Sequence, residues 1–143
     1  MTAEKFVAAA RGMLGRQWRH RGRNKLGVDC VGLIVLAAHQ AGKPIVDHTH
    51  YGREPWDGRL ANELQMLCGD PIEPPWQAGD IALIRWGTGE PSHLAILGDY
   101  LYGGLSLIHA HNLHGVVEHR LDEFHFSCIQ EVYRLWPGKS SQL

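Results

Sequence analysis

Residues Leu33, Ile34, Val35, Leu36, Ala37 and Ala38 make an apolar run that follows Gly27-Val28-Asp29-Cys30-Val31-Gly32 and stops before Gly42-Lys43-Pro44. A helix over this run is apolar nearly all round, and such a helix has to be buried. The rest of the chain must therefore wrap around it. Asp29 suits the N-cap and Gly42 the end of this helix. Cys30 then falls in the first turn, where the helix dipole supplies roughly half a positive charge and favours a thiolate over a thiol. Two readings of Cys30 stand at this point. It is either a nucleophile or a small core residue, since free cysteines are among the most buried side chains.

Around this helix the chain divides into a helical half and a strand half. Thr2 to Leu14 reads as a helix capped by Thr2, with Phe6, Val7, Ala10, Met13 and Leu14 at helical spacing and Gly15 at its end. Residues 16–28 read as a polar, basic loop holding Trp18. Lys43 to Gly58 is rich in turn-formers. Asp57 is placed to cap a third helix with Leu60, Ala61, Leu64 and Leu67 on one face and Gly69 at its end, and Pro71, Pro74 and Pro75 break the chain after it. Short runs of β-type alternation then follow at Asp80–Trp86, Ser92–Asp99, Leu105–His111, Gly115–Leu121 and Ile129–Trp136. Helices first and strands afterwards predict an α+β fold with an antiparallel sheet. Residues 1–138 are expected to form a single domain, with 139–143 a disordered tail.

The chain of 143 residues has the length of one domain with a real core, and its net charge of −1 gives no electrostatic case for a nucleic-acid partner. The charge is uneven, because Arg11, Arg16, Arg19, Arg21, Arg23 and Lys25 crowd the segment before Cys30. That segment reads as a solvated basic loop; the alternative is assistance to a thiolate or to an anionic substrate. Three cysteines without CxxC spacing argue against a disulfide framework and a structural zinc site. The N-terminus shows no basic segment followed by an apolar one, so synthesis in the cytoplasm without a secretory signal is the expectation. No apolar run approaches the roughly 20 residues of a membrane span.

A cysteine nucleophile needs a base, and the base needs an orienting partner. Among ten histidines, His93 opens one strand and His109 sits inside the next. If those strands are neighbours, the two rings meet on one face, with His93 as base to Cys30 and His109 holding its tautomer. His20, His39, His48, His50, His114, His119 and His125 have no comparable claim. A zinc reading stands beside this one: His109, His111 and His114, with Asp80 or Asp99, are ligand types at strand spacing, without an HExxH signature.

The segments Gly27-Val28-Asp29-Cys30-Val31-Gly32-Leu33, Gly79-Asp80-Ile81-Ala82-Leu83, Ser92-His93-Leu94-Ala95-Ile96 and Leu107-Ile108-His109-Ala110, in that order, resemble the NlpC/P60 cysteine peptidases over residues 3–136. The loop Leu14-Gly15-Arg16-Gln17-Trp18-Arg19-His20-Arg21-Gly22-Arg23 is similar to that of the phage-type branch, the tail-associated cell wall peptidases. The resemblance implies a papain-like α+β fold, with the nucleophile helix packed on a five- to six-stranded antiparallel sheet. It implies hydrolysis of amide bonds in peptidoglycan stem peptides through a thioester, without a metal or other cofactor. Cys30 would be the nucleophile, His93 the base and His109 the orienting residue, with the Cys30 amide meeting the oxyanion. Trp18, Asp29 and Ser92 would contact substrate, and phage-tail proteins would be partners of a virion-associated or wall-delivered protein.

Two departures from the family pattern matter. Trp18 stands where many relatives have tyrosine, and an indole donates one hydrogen bond but is no hydroxyl. Val31 stands where many have a serine that helps bind a free substrate amine, so the bond cleaved is left open. Two alternatives remain: a catalytically idle phage-tail or wall-binding domain, and an acyltransferase, for which the order of cysteine and histidine is usually reversed.

Overall fold

The computed structural model describes residues 2–47, 59–87 and 91–136. The helical half begins with α1 (Ala3–Arg11), where the Thr2 side chain accepts from the Lys5 amide as N-cap. Helix α1 stops at Gly12, short of the expected Leu14, because the chain turns there to Gly15 in the left-handed region. The segment read as a basic loop holds a two-stranded hairpin, β1 (Arg23–Asn24) with β2 (Gly27–Val28). Helix α2 (Cys30–Gln40) follows directly, capped by Asp29, and α3 (Arg59–Cys68) completes this half. The expected cap Asp57, His48, His50 and the tail 139–143 lie outside the described residues.

The strand half forms one antiparallel sheet of β3 (Ile81–Ile84), β4 (His93–Asp99), β5 (Leu105–His111), β6 (Gly115–Arg120) and β7 (Ile129–Tyr133), in the order β6-β5-β4-β3-β7. A short helix α4 (Glu123–Cys128), capped by Asp122, connects the last two strands and was not expected. The simple in-and-out alternation of a half-solvated sheet is also absent. Strands β4 and β5 are buried over nearly their whole length, because both faces of the sheet are covered.

On one face, Phe6, Met13, Leu33 and Ala37 of the helical half pack against Leu83, Leu94, Ile96, Ile108 and Tyr133. On the other, Ala82, Ala95, Leu97, Leu107 and Val132 pack with Ile72, Trp76 and Cys128. Alternate residues of a strand point to opposite faces, so His93 and His109 fall on the side of Ala95, Leu97 and Leu107. Helix α1 is tied to the sheet by Arg11, whose Nε and Nη2 donate to Glu118 at 3.0 and 2.8 Å and whose Nη1 donates to Asp99 at 3.1 Å.

Candidate active site

Cys30 owes its position to the residue before it. The Asp29 backbone is extended, and its Oδ1 accepts from the Gly32 amide at 2.8 Å, which starts α2 at Cys30. The same carboxylate accepts from the Arg21 amide at 2.8 Å and from Arg23 Nη1 at 3.1 Å. Arg23 also donates to Asp47, from Nε at 2.9 Å. Part of the basic crowd is thus neither a solvated face nor an arm toward the sulfur. Arg23 pins the hairpin to the helix start and Arg11 pins α1 to the sheet. A Cβ on Gly32 would overlap the Gly22 carbonyl, so the hairpin lies on the helix as closely as glycine permits.

The loop ahead of the hairpin is fixed from two sides. Val28 pairs through its amide with Gln17 at 3.0 Å and through its carbonyl with Arg19 at 3.1 Å, while the Val116 amide donates to Arg16 at 2.8 Å. Trp18 is thereby held at the edge of the cleft, stacked on His20 at 6.4 Å.

The half-buried Cys30 does not carry the acidity its helical position suggests. Burial pushes its thiol up to about 12, and the adjacent Asp29 carboxylate pushes the same way. The backbone N–H groups of Leu94, Val31 and Cys30 act on the sulfur in the opposite direction. Desolvation and the capping carboxylate outweigh them. The resting group is a thiol, which corrects the expectation of a helix-stabilised thiolate. The physical reason is first the burial of the sulfur, and second that the residue which caps the helix also brings it a negative charge.

The strands supply the imidazoles. Continued by one residue beyond Ile96↔Ile108, the β4–β5 register sets His109 opposite Ala95 and therefore diagonal to His93 on one face, as expected if the strands are neighbours. His93 Nε2 lies 2.9 Å from His109 Nδ1, and the rings meet edge to face with centroids 5.0 Å apart. His109 is fully buried, and its Nε2 lies 2.9 Å from His119 Nε2. Burial pushes His93 down to about 4, with His111 and His125 adding to the effect. It pushes His109 down to about 2, helped by His93 and His119. Both rings are neutral at physiological pH.

Cys30, His93 and His109 line one open cleft of about 950 Å³ together with Trp18, Asp29 and Ser92. All six residues singled out in the sequence therefore meet at a single place. Asp29, however, is buried and its oxygens already serve Gly32, Arg21 and Arg23; its position is that of a cap. Trp86, Phe124, His119 and His125 also line the cleft and were missed. Trp86 lies 5.4 Å from the His93 ring and is stacked on Phe124 at 6.4 Å. The signal for His119 was its alternation with Val117 on a strand adjacent to His109; nothing in the sequence pointed to Trp86.

The zinc alternative finds no convergent donors. Both nitrogens of His109 face other imidazoles, and His111 Nδ1 accepts from the Leu113 and His114 amides at 3.0 and 3.2 Å. Asp80 is buried in a two-pronged pair with Arg134, 2.9 Å at each contact, and Asp99 is paired with Arg11. Among the described residues no group of His, Cys, Asp and Glu is arranged to hold a metal ion, and no helix is long and apolar enough to cross a membrane.

No family model and no curated protein matches the sequence. Solved structures do. The chain is similar to NlpC1 from Trichomonas vaginalis, with a TM-score of 0.69 and 20% identity, over 95% of this chain and 45% of that one. It is similar to the NlpC/p60 domain of the peptidoglycan hydrolase SagA, with a TM-score of 0.61 and 23% identity, over 93% of this chain and 98% of that domain. An NlpC/P60 family protein from Bacillus cereus gives a TM-score of 0.69 and 20% identity, over 96% of this chain and 41% of that one. The chain thus spans less than half the length of the first and third of these and nearly all of the second. The α+β architecture, with α2 packed on a five-stranded antiparallel sheet, is the papain-like fold of NlpC/P60 domains.

Proposed function

We propose that this chain is a cysteine peptidase of the bacterial cell wall, cleaving amide bonds in peptidoglycan stem peptides. The observation that carries the reading is the meeting of Cys30, His93 and His109 at one cleft within a fold shared with a peptidoglycan hydrolase domain. With its Nε2 turned to His109, His93 has Nδ1 left for the sulfur. In the first step His93 removes the thiol proton as Cys30 attacks the scissile carbonyl. Burial disfavours a standing thiolate, so proton loss and attack run together. The oxyanion is met by the Cys30 amide, one of the first-turn N–H groups that a helix leaves without an internal partner. Collapse passes the proton from His93 to the leaving amine and leaves a thioester. Water, activated by the same ring, hydrolyses the thioester and regenerates the thiol.

Trp18 and Ser92 are the proposed substrate contacts. The loop Leu14–Arg23 carries the phage-type part of the reading, with tail proteins as partners. Stem peptides lie outside the cytoplasm, so the reading places the active protein at the cell wall, with virion association or another delivery route to the wall as the proposed localisation. Digestion of purified peptidoglycan with mass analysis of the fragments tests the activity and identifies the bond. Stem cleavage abolished by Cys30→Ala and by a thiol alkylator, and unaffected by EDTA, is expected. Intact peptidoglycan after prolonged digestion would leave the idle wall-binding domain as the better account.

A further inference from the structure

The row of imidazoles does not end at His109. His119 Nε2 continues it, and His119 Nδ1 lies 2.9 Å from the backbone carbonyl of Arg120. We infer that His119 is a positioning residue: anchored to the Arg120 carbonyl, it fixes through His109 the tautomer in which His93 presents an unprotonated Nδ1 to Cys30.

A carbonyl oxygen only accepts, so the proton of the His119 ring is on Nδ1 and its Nε2 is a lone pair. His109 Nε2, 2.9 Å away, must then donate, which leaves His109 Nδ1 as an acceptor. His93 Nε2, 2.9 Å from that atom, donates in turn, and its Nδ1 is left bare. An isolated His93–His109 pair has no such polarity. The hydrogen bond between them is satisfied equally well with the proton on either ring. In the reversed arrangement His93 carries its proton on Nδ1, toward the sulfur, and cannot act as a base. The wrong tautomer is a severe defect in cysteine and serine triads, since orientation without a free lone pair leaves no base. The Arg120 carbonyl is the element that breaks the symmetry.

The surroundings support an ordered row. The depressed values of His93 and His109 keep both rings in the singly protonated form that a tautomer argument needs. His111 is not an alternative anchor, because its Nδ1 is turned to the Leu113 and His114 amides. His125 packs on His119 with ring centroids 4.4 Å apart and directs its own Nδ1 to Asp122 at 2.7 Å. Glu118, next in sequence, is turned away to Arg11 and Ser106.

The inference rests on the proposed Cys30–His93 pairing, but its test does not depend on turnover. Nitrogen-15 shifts of the histidine rings in the whole protein report which nitrogen carries the proton. The wild type should show His93 and His109 protonated at Nε2 and His119 at Nδ1. In His119→Ala the His93 signal should shift toward a mixture of tautomers, and kcat should fall on the order of tenfold to a hundredfold with KM little changed. In His119→Gln the side-chain oxygen accepts from His109 and the amide group donates to Arg120, so the wild-type His93 pattern and most of kcat should return. A merely structural role for His119 would not move the His93 tautomer. The proposal is overturned if wild-type His93 is protonated at Nδ1, if His119→Ala leaves its tautomer unchanged, or if Gln restores no more than Ala does. An inactive wild type with the ordered tautomers would sink the peptidase reading and leave this inference standing.

Discussion

The backbone N–H of Leu94 points at the sulfur of Cys30. The start of α2 and the start of β4 therefore meet at one atom, and His93, the residue before that contact, lines the same cleft as Cys30. Without this junction a helix N-terminus and a strand histidine would be unrelated features of the chain.

The same junction sets how the thiol titrates. Iodoacetamide should label Cys30 slowly at neutral pH, with a rate that keeps rising through the alkaline range, because burial and Asp29 raise its pKa to about 12. Asp29→Asn keeps an N-capping side chain but removes the carboxylate. Its labelling profile should move to lower pH. A profile that is unchanged or moves upward would show that Asp29 does not act on the sulfur.

Acid should weaken the fold through the buried imidazoles. His93 and His109 bind protons in the unfolded chain near 6.5 but only at about 4 and about 2 when folded. The unfolded state therefore takes up more protons as pH falls, and stability present above pH 6.5 is lost below it. Urea unfolding should show a slope approaching about 1.4 kcal/mol per pH unit for each such group between about pH 6 and about pH 4, and a smaller one near neutral pH. His109→Gln should reduce that slope; an unchanged slope would mean that His109 is already charged in the native protein.

Much of this architecture was legible because it rests on local chemistry. Asp29 followed by an apolar run marked the buried helix, and period-two runs such as Leu105–His111 marked the sheet. The pairing of His93 with His109 followed from neighbouring strands. Other features depend on partners distant in sequence. The six-residue α4 leaves Phe124 and Phe126 exposed, so it has no amphipathic pattern to detect, although its Asp122 cap was a visible signal. The β1–β2 hairpin is two residues deep and is held by Arg23 reaching Asp29 and Asp47. The thiol was misjudged because a cap and a charge are one side chain, and only the fold shows how deeply the sulfur lies beside it.

The close approach of hairpin and helix makes Gly32 sensitive. Gly32→Ala introduces a Cβ against the Gly22 carbonyl, and rigid backbone on the other side cannot rotate away. A loss of about 1–3 kcal/mol is expected from overpacking, measured by urea denaturation. A variant as stable as the wild type would show that the hairpin is free to shift.

Trp86 forms an aromatic wall beside His93, 40% exposed and stacked on Phe124. Loss of one aromatic contact is worth about 0.5–1.5 kcal/mol. Trp86→Ala should therefore raise KM for a stem peptide roughly two- to tenfold, with kcat affected less. An unchanged KM would place the substrate on the Trp18 side of the cleft alone.

The proposed chemistry turns on a thioester between Cys30 and the acyl portion of a stem peptide. Rapid acid quenching of the protein mixed with a cross-linked stem peptide, followed by intact-mass and peptide mapping, tests it most directly. The expected result is an added mass equal to the acyl portion of the substrate, located on Cys30 and absent in Cys30→Ala and His93→Ala. Turnover of the peptide by Cys30→Ala, or an adduct on Cys68 or Cys128 in place of Cys30, would contradict it.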